Sequence, residues 1–263
     1  DGVYLDQISC AVQSPCEDPD HNHTPGNGSW WRESYKLLME RVRAEAPKNC
    51  GFTSESNGEI FTDQFDGFLT WTWLNSNLVP AFPLIYGCYI AMFGRNSDKQ
   101  GPTDNVFSRY HFAQSLMYGQ QLGWINPGIV DNADLLSYLK MIAKYRYEYR
   151  SYFHEGDMLR PPKLNGNMPV HITNSAMNES MMFTGEMIMA SSWQRRNDGS
   201  TLIMFANISD EEISCCFDVP WSEYGIDSNT FAKVDGEGIL EDISLEELQA
   251  ILPPRSCLIL KNS

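Results

Sequence analysis

The rhythm of the chain changes near residue 160, and that change limits the folds open to it. Over residues 1–155, strand-like and helix-like segments alternate with long connections between them. Such alternation argues for parallel strands, because a parallel crossover has to travel across one face of the sheet. After "PPKLNGNMP" the alternation stops, and short β-rich runs follow: "MIMASSWQRR", "STLIMFANIS", "ISCCFDVP", "FAKVD" and "SCLILKN". Turn residues such as "RNDGS" separate them, a pattern that predicts an antiparallel β-sandwich. The expected organisation is therefore an α/β unit over 1–158 and an all-β unit over 159–263.

Within the first unit, "GVYLD" reads as a strand, and "SWWRESYKLLMERVRAEA" as a helix with Ser29 at its N-cap and Tyr35, Leu38, Met39 and Val42 on one face. "CGFTSE" is the next strand, and "FPLIYGCYIAMF" reads as a third strand region. Helices are expected over "FSRYHFAQSLMYGQQ" and over residues 131–153, with the short apolar run "LGWI" between them. "SLEELQAI" reads as a short helix or a sandwich insertion.

Composition excludes several classes of function. The net charge of −15 argues against a nucleic-acid partner, which needs a basic face. No apolar run reaches the roughly 20 residues of a membrane helix, so no membrane partner is expected. Seven cysteines at scattered spacings, mostly in apolar runs, read as buried free thiols rather than a disulfide framework. A chain that opens on a strand without an initiator methionine or leader reads as processed or truncated. Its location therefore stays open, and a longer secreted or periplasmic precursor is compatible with it.

Two strands end in acids. Asp6 closes "GVYLD" and Glu55 closes "GFTSE", 49 positions on, with the excess length in the loop at 13–28. In a parallel α/β barrel, strand ends share one mouth, so two such acids can converge there. That pairing suits glycosidic bond cleavage, in which one carboxylate attacks or steadies the anomeric carbon and the other protonates the departing oxygen. The plain alternative is that each acid caps a helix or solvates a loop.

The block "GVYLDQ…HNHTPGNGSWW…GFTSESNGEIFTDQFDGFL" resembles the second half of the barrel in glycoside-hydrolase-like proteins related to α-galactosidases and endo-α-N-acetylgalactosaminidases. The tail, with "TLIMFANISDEEI" and "LPPRSCLILK", is similar to the β-sandwich that follows it in those hydrolases. The resemblance implies the C-terminal part of a (β/α)8 barrel of TIM type, a sandwich behind it, and retaining cleavage of α-linked sugars. Asp6 would be the nucleophile and Glu55 the general acid/base. Glu59, four residues on, rivals Glu55 for the acid role, whereas Asp63 and Asp66 read as structural.

The loop "CEDPDHNHTPGNG" offers His21 and His23 as donors to sugar hydroxyls, or as ordinary solvated histidines. Its spacing matches neither a zinc finger nor a metalloprotease helix, and a calcium loop would need glycine where His23 stands. No metal is therefore expected. Trp30, Trp31, Trp71, Trp73 and Trp124 can stack on sugar rings or fill a core, and Tyr86, read as part of a strand, can face the barrel mouth or pack in the core. Trp193 and Trp221 are the corresponding aromatics of the tail. No motif supports phosphate, nicotinamide or flavin binding, no G-x-S-x-G elbow is present, and no cofactor is expected.

A complete barrel takes about 250 residues, and the first 155 here supply only part of one. The expected partners are a carbohydrate substrate and either a second copy of the chain, through an exposed parallel edge, or a missing N-terminal half of the barrel. The alternative function is a non-catalytic, carbohydrate-binding or structural remnant of a glycosidase.

Overall fold

A computed structural model describes residues 2–26, 28–70, 79–94, 105–174, 182–226, 230–234, 239–244 and 249–262. The chain divides into two compact units, Asp1–Thr72 with Ile90–Met92, and Trp73–Tyr89 with Phe93–Ser263. The first unit holds β1 (Gly2–Leu5), α1 (Trp30–Glu45), β2 (Gly51–Glu55), β3 (Gly67–Thr70) and the start of β4 (Ala91–Gly94). These strands form a four-stranded parallel sheet in the order β1-β2-β3-β4. Register is continuous from Gly2↔Gly51 to Leu5↔Ser54, and from Thr53↔Gly67 to Glu55↔Leu69.

Period-2 geometry sorts the side chains of this sheet onto two faces. Phe52 and Ser54 of β2 are buried on one face, and the guanidinium of Arg43 from α1 lies 4.8 Å over the Phe52 ring. Thr53 and Glu55 share the opposite face with Tyr4 and Asp6, because paired residues of a parallel ladder point the same way. Asp66 secures the helix-covered side, accepting from the Phe52 amide at 2.7 Å and from Arg43 at 3.0 Å. Asp63 pairs with Arg32 and Lys36 of α1.

The second unit contains α2 (Ala81–Tyr86), α3 (Asn105–Met117), α4 (Ala133–Glu148) and α5 (Arg150–Glu155), followed by the antiparallel strands. These are β5 (Gly156–Leu159), β6 (Lys163–Asn165), β7 (Val170–Asn174), β8 (Met182–Glu186), β9 (Ile188–Arg195), β10 (Thr201–Asn207) and β11 (Ile213–Asp218). After α6 (Trp221–Tyr224) come β12 (Thr230–Val234), β13 (Ile239–Ser244), β14 (Gln249–Leu252) and β15 (Cys257–Lys261). A six-stranded sheet runs β13-β12-β15-β10-β9-β5, a three-stranded sheet β14-β11-β6, and β7 pairs with β8. Phe205 of the six-stranded sheet meets Phe217 of the three-stranded one with ring centroids 4.4 Å apart.

The core of this unit follows from its sequence patterns. Every residue of β10 is buried, as expected of a central strand covered on both faces. Strand β11 alternates, so Ile213, Cys215 and Phe217 point inward while Ser214, Cys216 and Asp218 point outward. Helix α3 is buried on all sides from Phe107 to Met117. Trp193 of β9 is fully buried, donates from Nε1 to the Met117 carbonyl at 3.0 Å, and meets the Phe153 ring edge-on. Gly119, at φ +67°, leaves no room for a side chain: a Cβ there would stand 3.0 Å from the Trp193 ring.

Several sequence expectations need correction. "PLIYGCY" is not a strand; residues Ala81–Tyr86 form α2, and the strand of this region is β4, further on. Pro83 is tolerated because amides in the first turn of a helix have no intrahelical partner to lose. Tyr86 therefore ends a helix rather than facing a mouth from a strand. Strand β3, "GFLT", is buried throughout and was not anticipated, since a four-residue apolar run has no period to betray it. The helix expected over 131–153 breaks at Tyr149 (φ −98°, ψ 17°) into α4 and α5. On α1, Met39 is buried but Leu38 is exposed, and the Ser29 hydroxyl bonds the Glu33 carboxylate rather than a backbone amide. Among the seven free cysteines Cys215 is buried, Cys216 is exposed and the others are half-buried. Trp71, Trp73 and part of "SLEELQAI" lie outside the described residues.

Candidate active site

The end of the β1–β2 ladder builds the site. Its last pair is Leu5↔Ser54, so Asp6, just past β1, and Glu55, the last residue of β2, come next along two adjacent parallel strands. Adjacent strands lie about 4.8 Å apart, which brings the two acids side by side on the face turned away from α1. Asp6 is exposed, whereas Glu55 is buried at 8% exposure.

Immediately after each acid the backbone enters the left-handed region, at Gln7 (φ 59°) and Ser56 (φ 54°). Non-glycine residues adopt this conformation uncommonly, and it ends each strand abruptly at its carboxylate. The turn after β1 is tied to the end of β2: the Ser9 hydroxyl donates to the Glu55 carbonyl, and the Ser9 amide donates to Ser54 Oγ at 3.3 Å. Gly58 is needed beneath it, because a Cβ there would meet the Ser9 carbonyl oxygen at 2.5 Å.

Two residues missed by sequence reasoning complete the site. The Tyr4 hydroxyl donates to Asp6 Oδ1 at 3.3 Å, and the Cys10 thiol donates to Glu55 Oε2 at 3.5 Å. Burial, then the charges of Glu55 and Asp6, push the Tyr4 phenol well above its usual range. Burial and the bond to Glu55 likewise push the Cys10 thiol up. Both groups therefore stay protonated at neutral pH and act as donors to the carboxylates. Tyr4 was legible in principle, since it stands two residues before Asp6 on one strand and shares its face.

A second cluster forms in the loop between β1 and α1. His23 stacks on Trp30 with centroids 4.3 Å apart and planes 9° apart, and Trp30 meets Trp31 edge-on. His21 lies against Cys16, with Sγ to Nδ1 at 3.0 Å. Glu59 is exposed at the start of a 3-10 turn (Glu59–Phe61). Tyr86 belongs to the second unit, and in that unit Trp193 is core rather than surface platform. Thus Asp6 and Glu55 come together, as do His21, His23 and Trp30.

Residues 1–97 match the family described as a domain of unknown function, DUF6259. Two sequence relatives bear the name "Putative glycoside hydrolase". The one from Bacteroides thetaiotaomicron is 30% identical, aligned over 80% of this chain and 31% of its own length. The one from Monosiga brevicollis is 27% identical, aligned over 80% of this chain and 20% of its own length. The chain thus spans about a third and a fifth of these relatives. Among solved structures, a GH27 β-L-arabinopyranosidase from Geobacillus stearothermophilus matches with TM-score 0.53 and 11% identity, over 99% of this chain and 57% of that one. A maltogenic α-amylase from Thermotoga neapolitana matches with TM-score 0.52 and 12% identity, over 97% and 72%. The chain has glycoside-hydrolase-like relatives. Its mixed α/β fold is shared with glycosidases.

Proposed function

We propose that this chain is the part of a larger glycoside hydrolase that carries its catalytic carboxylates. The observation that carries the reading is that Asp6, just past β1, and Glu55, at the end of β2, both follow the pair Leu5↔Ser54 on adjacent parallel strands, on the face opposite α1. The strand spacing of about 4.8 Å suits a retaining pair, whose carboxyl groups stand about 5–5.5 Å apart, better than an inverting pair at about 6.5–9.5 Å. The four-stranded parallel sheet is then the C-terminal part of a (β/α)8 barrel, and residues 159–263 are the accompanying sandwich.

Asp6 attacks the anomeric carbon of an α-linked sugar while Glu55 gives its proton to the departing oxygen. Glu55 then takes a proton from a water molecule whose oxygen bonds to the anomeric carbon, which breaks the bond to Asp6 and releases the sugar. Tyr4 and Cys10, held protonated, orient the two carboxylates by donating to them. Glu59, at the neighbouring turn, lies on the sequence segment that leaves Glu55 and is proposed to contact substrate.

The test uses the intact protein on natural glycans and on aryl α-glycosides with good leaving groups. Asp6→Asn should abolish turnover of both. Glu55→Gln should cut glycan hydrolysis about 10²–10⁴-fold; on aryl substrates, whose leaving groups need no proton, it should spare the first release of the aryl alcohol and slow the later turnover that needs Glu55 as base. Glycan binding by the unaltered protein without turnover would sink the catalytic reading and leave a binding remnant.

A further inference from the structure

The loop between β1 and α1 holds a cluster that the proposed hydrolysis does not use. Cys16, His21 and His23 each offer one ligand atom, and these atoms lie within 4.8 Å of one another. With bond lengths of about 2.0–2.3 Å, the ligand atoms of a tetrahedral zinc ion stand about 3.3–3.6 Å apart. That spacing falls between the 3.0 Å of Cys16 Sγ to His21 Nδ1 and the 4.8 Å limit of the set.

Outer contacts orient both rings. His21 Nε2 faces Asp18 Oδ2 at 3.3 Å, so Nε2 carries the proton and Nδ1 turns its lone pair toward Cys16. A carboxylate behind a histidine in this way is the usual support of a metal ligand. His23 Nδ1 donates to the Thr24 carbonyl at 2.9 Å, which leaves the lone pair on Nε2. The Trp30 ring stacked on His23 fixes its plane. The loop is already closed at its base by the bridge Cys16↔Gly26, in which the Gly26 amide donates to the Cys16 carbonyl at 2.7 Å.

We propose that Cys16, His21 and His23 bind a zinc ion that clamps this loop, with a water molecule as fourth ligand. One soft thiolate with two imidazoles selects zinc over magnesium or calcium, which prefer oxygen. Binding releases the Cys16 proton to solvent, since the thiolate is the ligand. The spacing Cys-x4-His-x-His escaped sequence reading because it matches no familiar ligand pattern; the turn of the loop brings the three residues together. The proposal does not depend on the glycosidase reading, and its test does not measure hydrolysis.

The experiment is metal analysis of the intact protein, followed by cobalt(II) substitution of the chelated protein. About one zinc per chain is expected, together with a thiolate-to-cobalt charge-transfer band. That band should vanish in Cys16→Ser and weaken in His23→Gln, a conservative variant that guards against simple misfolding. Chelation should also speed proteolytic nicking within residues 13–28, and zinc should restore resistance in the unaltered protein but not in Cys16→Ser. Absence of the cobalt band would reduce the cluster to a thiol–imidazole hydrogen bond and overturn the proposal. A band that survives in Cys16→Ser would place the metal elsewhere and overturn it equally.

Discussion

The two strand-end acids of the first unit take different donors from the ion-paired acids of the second. In the second unit Asp210 takes both terminal nitrogens of Arg109, at 2.8 and 3.1 Å, and Arg255 at 3.3 Å. Asp157 is gripped by Arg196 in the same forked way. These guanidinium groups hold both carboxyls below their usual range, so each is locked as an ion. In the first unit Asp6 takes a hydrogen bond from a phenol and Glu55 one from a thiol. A carboxylate locked in a charge-assisted fork ties elements together. One held by a neutral donor stays able to bond to carbon or to carry a proton, which is what hydrolysis requires.

The sharpest way to break this contrast is Asp6→Asn. If the neutral-donor acids are catalytic, turnover falls by at least about 10³-fold while the melting temperature stays near that of the unaltered protein, because Asp6 is exposed. Loss of stability without selective loss of turnover would make Asp6 a structural acid like Asp210.

Next in size is Trp193→Ala in the second unit, which empties a fully buried site and breaks the bond to the Met117 carbonyl. Denaturant unfolding should record a loss of about 3–5 kcal/mol. A loss below about 1 kcal/mol would mean that the α3–β9 packing contributes far less than the burial indicates.

Asp210→Asn sharpens the comparison at intermediate size. Arg109 is 3% exposed in its side chain and Asp210 60%, so the variant removes the exposed counter-charge of a buried cation. A loss of about 1–3 kcal/mol is expected at neutral pH. Because Arg109 depresses the Asp210 carboxyl in the folded state, its contribution is present above the unfolded carboxylate value of about 3.9. It disappears as pH falls through the lower folded value. Stability of the unaltered protein should thus drop more steeply than that of Asp210→Asn below about pH 4; parallel curves would show that the pair is not coupled to folding.

The smallest expected effect is Tyr4→Phe, which removes the donor to Asp6 and leaves the ring. Turnover should fall about 3- to 10-fold with little change in KM. No change at all would mean that Tyr4 fills space beside the acids without orienting them.

Much of the fold was readable where a period was long enough to see. Helix α1 follows from its spacing, strand β11 from its alternation, and β9, β10 and β15 from β-rich runs between turn residues. The errors fall where the run is short or apolar throughout. "PLIYGCY" is as apolar as a strand yet folds as α2, and "GFLT" is a buried strand too short to show alternation. In the site, the two acids were visible because each closes a strand. Cys10 was not, because a turn with Gln7 at positive φ swings it back to Glu55, and nothing local announces that return.

Sequence alone determined that strands and helices mix over residues 1–155, that the tail is β-rich, and that Glu55 ends a strand while Asp6 directly follows one, since these follow from local pattern and strand-end position. Tertiary structure alone decided which acids meet which donors. The β1–β2 register sets Asp6 beside Glu55, the left-handed turns bring Cys10 to Glu55, and the closed loop gathers Cys16, His21 and His23. Each of these depends on chain segments distant in sequence or reversed by a turn, and the free energy that selects them comes from contacts no single segment contains.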